Sequence, residues 1–403
     1  MPASWLEADA PKFTRDMNRK HIVAIPSWYS GGRGSGGGYF RDQALALQAA
    51  GHRVVILAPD FHTVRDLRAG RGPRTEASRT IIEHDGIDVY RRSRLIVAPR
   101  FPYRNALLWS WCGLGLFDEY VARNGLPDLV HAHACLNAGV LATLIRARRG
   151  VPFVLTEHST GFAEGRLRWW ERDLVRRVTA RAEARVAVSP HLAGLLERQF
   201  PGHAWSYIPN ILGEAFLEPA APPVRAPGHP FVFLCAARLV PAKNHALLID
   251  AFADAFARAG AGVRLLLAGD GPLRAELERH STRRGIAAQV EFLGTLSAEQ
   301  LRATMARADA FVLASDVETF GVVVIEAQAA GLPVVCTASG GPDHLIAPMN
   351  GMLVPAGDRQ ALSLALIEMR RRAPDYDRGL ISAEAIHRFG PAAFARSFAE
   401  ITP

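Results

Sequence analysis

Apolar runs of five to seven residues alternate with amphipathic helical patterns along most of the chain. In the first half the runs are HIVAIPS from His21, RVVILAP from Arg53, DLVHAH from Asp128, PFVLTEH from Pro152 and ARVAVSP from Ala184. Helical patterns lie between them, among them Tyr39–Ala50 and Asn137–Arg149. The segment GEAFLEPAAPPVRAPGHP, Gly213 to Pro230, is rich in Pro and Ala and has no periodicity, so it reads as a linker. The pattern then restarts with FVFLCAA from Phe231, RLLLAGD from Arg264, VEFLG from Val290, AFVLAS from Ala310 and PVVCTA from Pro333, each followed by a helix. This alternation predicts an α/β protein with mostly parallel sheets. The expected domains are 1–212 and 231–374, joined by the linker 213–230 and followed by a helical segment, 375–403, broken near Gly390-Pro391. In doubly wound sheets ligands bind at the carboxyl ends of the strands, so two facing domains predict a ligand in the cleft between them.

Length and composition agree with two soluble domains: 403 residues, 49% hydrophobic, 21% charged, mean hydropathy +0.05. The longest apolar stretch outside the strand candidates, Leu107 to Phe117, is shorter than the roughly 20 residues a membrane span needs. The N-terminal MPASWLEADAPKF carries acids and no apolar core, unlike a signal peptide. Four scattered cysteines form neither a disulfide framework nor a zinc pattern and suit a reducing cytosol. The net charge of +8 is unevenly shared. Residues 1–210 hold 29 Lys+Arg against 19 Asp+Glu, while the remainder holds 18 against 20. The first half is therefore expected to meet something anionic: lipid headgroups, a phosphorylated acceptor or nucleic acid.

The densest chemistry lies in DVETFGVVVIEAQAAG, Asp316 to Gly331. A buried strand, a turn and a helix ending at Gly331 place Glu318 in the turn and Glu326 inside the helix. The first-turn amides, about Phe320 to Val323, lack internal partners and with the helix dipole form an anion site, with Gly321 allowing close approach. A carboxylate on each side of that site suits sugar, diphosphate and ribose in a row. The bland alternative is an ordinary N-terminal acid plus a solvent-facing one. AARLVPAKNHALLID adds Arg238 at a strand end and Lys243 at the next helix start, two cations suited to a diphosphate leaving group.

The second half closely resembles the nucleotide-sugar-binding domain of the family-4 retaining glycosyltransferases. AARLVPAKNH, LLLAGDGPLRAELE, EFLGTL, ASDVETFGVVVIEAQAAGLPVV and NGMLVPAGD occur in that family's order over roughly 130 residues. The first half is similar more loosely, through IPSWYS, GGGYFRDQALALQAAGHRVVIL, DLVHAH, FVLTEHSTGF and YIPN. The resemblance implies a GT-B type fold of two facing Rossmann-like domains, with the C-terminal helical segment crossing back to the first. It implies that Arg238 and Lys243 bind the diphosphate, that Glu318 contacts donor-sugar hydroxyls and that Glu326 contacts the ribose. It further implies that amides around Phe320, Gly321 and Val322 help hold sugar and phosphate, and that His158 reaches the sugar from the opposite domain. Among the loop glycines, Gly37 and Gly38 are expected near phosphate because they adjoin the helix. The implied reaction retains anomeric configuration and uses no metal or other cofactor, the leaving diphosphate deprotonating the acceptor.

Other signals compete. Gly32, Gly34 and Gly37 satisfy G-x-G-x-x-G, with Asp60 ending the second strand, as in an NAD-dependent oxidoreductase. Six glycines among residues 31–38 match that pattern easily, however, and begin well past the strand end. His131 and His133 alternate on one strand and could suggest a metal, but read better as cleft-facing strand-end residues. Gly165 to Arg185, basic with Trp169 and Trp170 adjacent, reads as an amphipathic helix with inward tryptophans or as an element touching anionic lipid. No nucleic-acid module accompanies the charge. The expectation is a cytoplasmic glycosyltransferase, either free or peripheral at the inner face of the membrane. It would take a nucleotide-sugar donor and a saccharide or lipid-linked acceptor, in glycolipid or surface polysaccharide biosynthesis. A nucleotide-sugar epimerase or a phosphorylase of the same architecture is the alternative.

Overall fold

The computed structural model describes residues 19–29, 38–63, 81–84, 86–96, 103–219 and 228–402. Two sheets organise them. The first is built from β1 (His21–Pro26), β2 (Arg53–Thr63), β3 (Ile81–His84), β4 (Asp88–Ile96), β5 (Leu129–His133), β6 (Phe153–Glu157), β7 (Ala184–Ala187) and β8 (Ser206–Tyr207). Its order is β3-β4-β2-β1-β5-β6-β7-β8, parallel except for the antiparallel β3–β4 edge. The second comprises β9 (Phe231–Ala236), β10 (Val263–Ala268), β11 (Val290–Gly294), β12 (Ala310–Leu313), β13 (Val334–Ala338) and β14 (Gly351–Pro355). Its order, β11-β10-β9-β12-β13-β14, is wholly parallel and reads 3-2-1-4-5-6 when counted within the sheet. That is the doubly wound dinucleotide-fold order, with its switch point between β9 and β12. The first sheet has the equivalent reversal between β1 and β5.

The central strands are buried from end to end, as in β5, β6 and β12, because helices cover both faces. This explains why they read as continuous apolar runs. In the first domain the helices are α1 (Gly38–Ala49), α2 (Arg104–Asn124), α3 (Val140–Arg149), α4 (Trp169–Thr179) and α5 (Pro190–Gln199). In the second they are α6 (His245–Phe256), α7 (Arg274–Arg283), α8 (Ala298–Arg307), α9 (Val322–Ala329) and α10 (Arg359–Arg372), and the chain ends in α11 (Arg378–Phe389) and α12 (Pro391–Ile401).

Several elements depart from the expectations. β13 is followed by a short 3-10 turn, Pro342–Leu345, rather than a helix. The stretch from Gly213 begins with a 3-10 turn that buries Phe216, and Glu218 pairs with Arg302 of α8, so the crossing is anchored before residues 220–227. Trp169 is 68% exposed while its neighbour Trp170 packs against the core, so only one of the two tryptophans points inward. At Gly390-Pro391 the chain changes domain. α11 packs on α9, the Phe389 carbonyl accepts a hydrogen bond from Leu212 N–H at 2.9 Å, and α12 lies on α1 with Phe394 and Phe398 buried.

Candidate active site

The two loops leaving the switch-point strands β9 and β12 carry the expected cations and acid, and backbone and side-chain bonds pin them together. Asp316 N–H donates to the Ala242 carbonyl at 3.0 Å, and the Asn244 side-chain amide donates to Asp316 Oδ1 at 2.8 Å. Asn244, at φ 45°, also caps α6 by accepting from Leu247 N–H. Lys243 is thereby set against Glu318, and its ammonium pairs with Glu318 Oε1. The Ser315 hydroxyl donates to the same oxygen at 2.9 Å. Glu318 is 7% exposed, so its charge is balanced inside the protein. Its own backbone bridges to the loop after β13, donating to Ser339 and accepting from Gly341 at 3.0 and 2.9 Å. A side chain at Gly341 would place Cβ 2.2 Å from the Thr319 carbonyl carbon, so only glycine permits this approach. Arg238 leaves the same loop as Lys243, is exposed, and has no ion pair or hydrogen bond from its guanidinium among the described residues.

Gly321, at φ 90°, turns the chain into α9. The amides of Gly321, Val322 and Val323 have no hydrogen-bond partner among the described residues, the state expected of a helix start that serves an anion. Phe320 itself is 1% exposed, its ring against His344 and Phe389, so only its backbone is available to a ligand. Glu326, half-buried in α9, faces Asp42 of α1 on the other domain. Burial, with the Asp42 carboxylate adding to it, pushes its carboxyl up to about 7. Gly38 opens α1 with nothing within 4 Å of where a Cβ would stand, whereas Gly37 lies outside the described residues.

His158 follows β6 and meets the second domain directly: its carbonyl accepts from the Thr319 hydroxyl at 3.0 Å. Its ring sits among Tyr39, Phe40 and His133, with His133 Nδ1 at 3.2 Å from His158 Nε2. Burial, and secondarily His131, pushes its pKa down to about 3, so the imidazole is neutral at pH 7. The neighbouring Glu157, wholly buried, accepts from the amides of Cys135 at 2.7 Å, His158 at 2.9 Å and Ser159 at 2.7 Å. Those three donors tie the ends of β5 and β6 together around the histidine. Two further contacts join the domains: Tyr207 OH lies 2.8 Å from His344 Nε2, and the His191 ring packs on Gly340.

The structure thus gathers Lys243, Glu318 and the His158 main chain at one junction, with Arg238 on the Lys243 loop and Glu326 on the following helix. His131 and His133 differ from expectation. Both are buried at 1% exposure or less, His131 bonded to Thr156 at 2.8 Å and His133 to His158, so neither faces open cleft. Thr319 and Ser315 were not singled out in the sequence, although both flank Glu318 in the same motif. Glu157 gave no signal because a strand acid bonded only to amides has no cation partner to betray it.

Comparison with known proteins agrees with this fold. Residues 220–378 match the family described as Glycosyl transferases group 1, and residues 34–210 match the Glycosyl transferase 4-like domain. A GDP-mannose-dependent alpha-mannosyltransferase of Mycobacterium tuberculosis is 30% identical over 77% of this chain and 78% of its own length. A GDP-mannose-dependent monoacylated alpha-(1-6)-phosphatidylinositol monomannoside mannosyltransferase of Corynebacterium glutamicum is 37% identical, over 34% of this chain and 37% of its own length. Among solved structures, a sucrose-phosphate synthase from Thermosynechococcus elongatus superposes with TM-score 0.76 at 22% identity, covering 95% of this chain and 98% of that one. Anabaena HepE, solved with UDP and glucose, gives 0.68 at 20% identity over 94% and 98%. The solved structures share the GT-B architecture of two Rossmann-like domains with a cleft between them, and the family models and mannosyltransferase relatives support sugar transfer rather than epimerisation. The chain belongs to the glycosyl transferases group 1 family and is a glycosyltransferase.

Proposed function

We propose that this enzyme transfers mannose from GDP-mannose, with retention of anomeric configuration, to a glycolipid or surface-polysaccharide acceptor. The observation that carries the donor site is the Lys243–Glu318 pair at the switch point of the second sheet, adjoining His158 of the first domain. GDP and mannose are suggested by the names of the mycobacterial and corynebacterial relatives. Lys243 and Arg238 neutralise the leaving diphosphate, and the amides of Gly321 to Val323 add to that field. Glu318 and the neutral His158 hold the sugar hydroxyls, while Glu326 takes the ribose diol. No side chain acts as nucleophile: the departing diphosphate oxygen removes the acceptor proton on the same face, and no metal is required. Thermal-shift measurements with GDP, UDP and ADP and their sugar conjugates test the donor, because a ligand raises the midpoint according to its excess over Kd. GDP and GDP-mannose should stabilise most, and turnover should persist in EDTA. Selective stabilisation by UDP or ADP overturns the donor, and abolition by EDTA overturns the metal-free mechanism.

The acceptor end is read from a separate surface. Leu107, Leu108 and Trp111 on α2 are exposed, and Trp169 on α4 approaches them through Tyr103, with ring centroids 5.9 Å apart. Arg148 stacks on Trp111 at 5.0 Å, and the domain carries the chain's positive surplus. An apolar wedge with an arginine laid on its tryptophan fits an anionic lipid surface, where a lipid-linked acceptor would lie. No helix among the described residues is long and apolar enough to cross a membrane, so the proposed attachment is peripheral, at the cytoplasmic face. Sedimentation with phosphatidylglycerol-rich vesicles should capture the parental enzyme and lose Trp111→Ser/Trp169→Ser; equal capture of both removes this surface from the mechanism.

A further inference from the structure

The contact between His133 and His158 has a chemical consequence beyond packing. His133 Nδ1 and His158 Nε2 lie 3.2 Å apart, and both rings are buried, at 0% and 6% exposure. Two neutral imidazoles in such contact share one proton, so only two arrangements exist. If His158 donates from Nε2, its Nδ1 becomes a bare acceptor and the remaining N–H of the pair falls on His133 Nε2. That atom has no partner and is enclosed by the rings of His131, at 4.0 Å between centroids, and Phe40, at 4.8 Å. An N–H would then be permanently buried and unpaired, the costlier kind of orphan. If His133 donates instead, the atom left without a partner there is an unprotonated nitrogen, and the second N–H falls on His158 Nδ1. His158 Nδ1 is likewise buried and makes no hydrogen bond of good geometry, the Asn210 side chain being the polar neighbour that acts on this ring, but it belongs to the residue whose carbonyl touches Thr319 of the donor-binding domain. The second arrangement puts the unsatisfied donor on the residue that borders the donor-binding domain.

We propose that His133 is a positioning residue that holds His158 as its Nδ1–H tautomer, so that His158 enters the site as a neutral hydrogen-bond donor to a sugar oxygen. This rests on the reading that His158 meets the donor sugar. Glu318, an acceptor, receives a hydrogen bond from a sugar hydroxyl. A donor on the other side complements it by approaching an oxygen lone pair. Two acceptors would compete for the same hydroxyl proton. The second layer also includes Glu157, which fixes the His158 main chain while His133 fixes its ring.

The test uses the full chain labelled with 15N-histidine, with the His158 signals assigned by their loss in His158→Gln. Ring-nitrogen shifts should report a protonated Nδ1 and a bare Nε2 in the parental protein. His133→Phe keeps the aromatic volume and removes the donor; His158 should then shift toward the Nε2–H form. GDP-mannose turnover should fall about 10–100-fold, as when groups that orient a functional histidine are removed, while GDP affinity stays within twofold because GDP lacks the transferred mannose that His158 is proposed to meet. His133→Asn returns an N–H near the Nδ1 position and should recover most of both the tautomer and the turnover. A parental His158 protonated at Nε2, or an unchanged tautomer in His133→Phe, overturns the inference. Parental turnover by His158→Ala would instead remove His158 from the proposed donor site. Because the tautomer is read without any sugar, the two failures remain distinct.

Discussion

Replacing Lys243 by alanine tests the centre of the site, because two quantities should move together and a second substitution should separate them. In the parental protein Glu318 is buried, and its carboxylate is met by Lys243 and the Ser315 hydroxyl. Lys243→Ala leaves that carboxylate with the hydroxyl alone. Removing one partner of a fully buried ion pair costs roughly 3–5 kcal/mol. The Lys243 side chain is 24% exposed against 9% for Glu318, so solvent screens part of the interaction and a loss of about 2 kcal/mol is expected. For a domain of roughly 150 residues that is a fall of about 4–8 °C in the melting midpoint. Ligand readouts follow from the diphosphate contact: loss of one charge-assisted bond should weaken GDP about 10–100-fold by titration calorimetry. GDP-mannose turnover should lose about 10²–10³, the scale of one preorganised electrostatic partner. The double variant Lys243→Ala/Glu318→Gln removes the stranded charge, so it should regain most of the stability and none of the GDP affinity. If Lys243→Ala melts with the parental protein and binds GDP as tightly, the pair neither stabilises the loop nor holds the diphosphate. If the double variant recovers affinity along with stability, Lys243 acts only through folding.

Two further measurements address the other domain's contribution. Glu326 is raised from the ordinary 4.5 to about 7, by burial and then by Asp42. A raised carboxyl makes folding stability fall as pH climbs from about 4.5 to about 7. Gripping ribose hydroxyls needs the ionised form, so GDP affinity should weaken as pH drops from 8 to 6, beyond any change seen in Glu326→Gln; Asp42→Asn should move the inflection to lower pH. An identical pH profile for parental and Glu326→Gln enzymes excludes the carboxylate from donor binding. Thr319→Val removes the hydroxyl that donates to the His158 carbonyl across the cleft, worth about 1 kcal/mol. KM for GDP-mannose should rise about fivefold with kcat nearly unchanged, and an unchanged KM would mean that this contact does not assist closure on the donor.

What could be read in advance follows from how deeply each strand is buried. β1, β5, β6, β9, β10 and β12 sit mid-sheet under helices on both faces, so apolar residues dominate their composition. β4, DVYRRSRLI, escaped notice because arginines interrupt it, one of them, Arg91, buried by donating to the Tyr29 carbonyl. β14 is a short edge strand hidden within NGMLVPAGD. α2 was mistaken for a mere apolar stretch, since Leu107, Leu108 and Trp111 occupy its exposed side and erase the usual polar face. At the site, residues that share one short motif were legible: Glu318 and Glu326 in one, Arg238 and Lys243 in another. The His133–His158 contact was not, because 25 residues and a whole strand crossover separate partners that the parallel register of β5 and β6 sets side by side.

That division bears on how the transferase works. The acid and cation motifs legible in the sequence come from the nucleotide-sugar domain, and there Lys243 and Glu318 are already satisfied: Lys243 has Glu318, and Glu318 has Ser315 as well. Such a cluster folds stably without substrate, yet the charge it offers is committed. An entering diphosphate must compete with Glu318 for Lys243, and that competition makes sense only if Glu318 gains new partners at the same moment. Sugar hydroxyls supply them, so a complete nucleotide-sugar exchanges one internally balanced arrangement for another, whereas a bare anion would leave Glu318 underpaired. The site therefore discriminates by coupling its two ends. GDP-mannose should bind more tightly than the sum of separate diphosphate and sugar contacts predicts, and a Glu318→Gln enzyme, freed of the competition, should bind GDP at least as tightly as the parental one while losing its preference for the sugar conjugate.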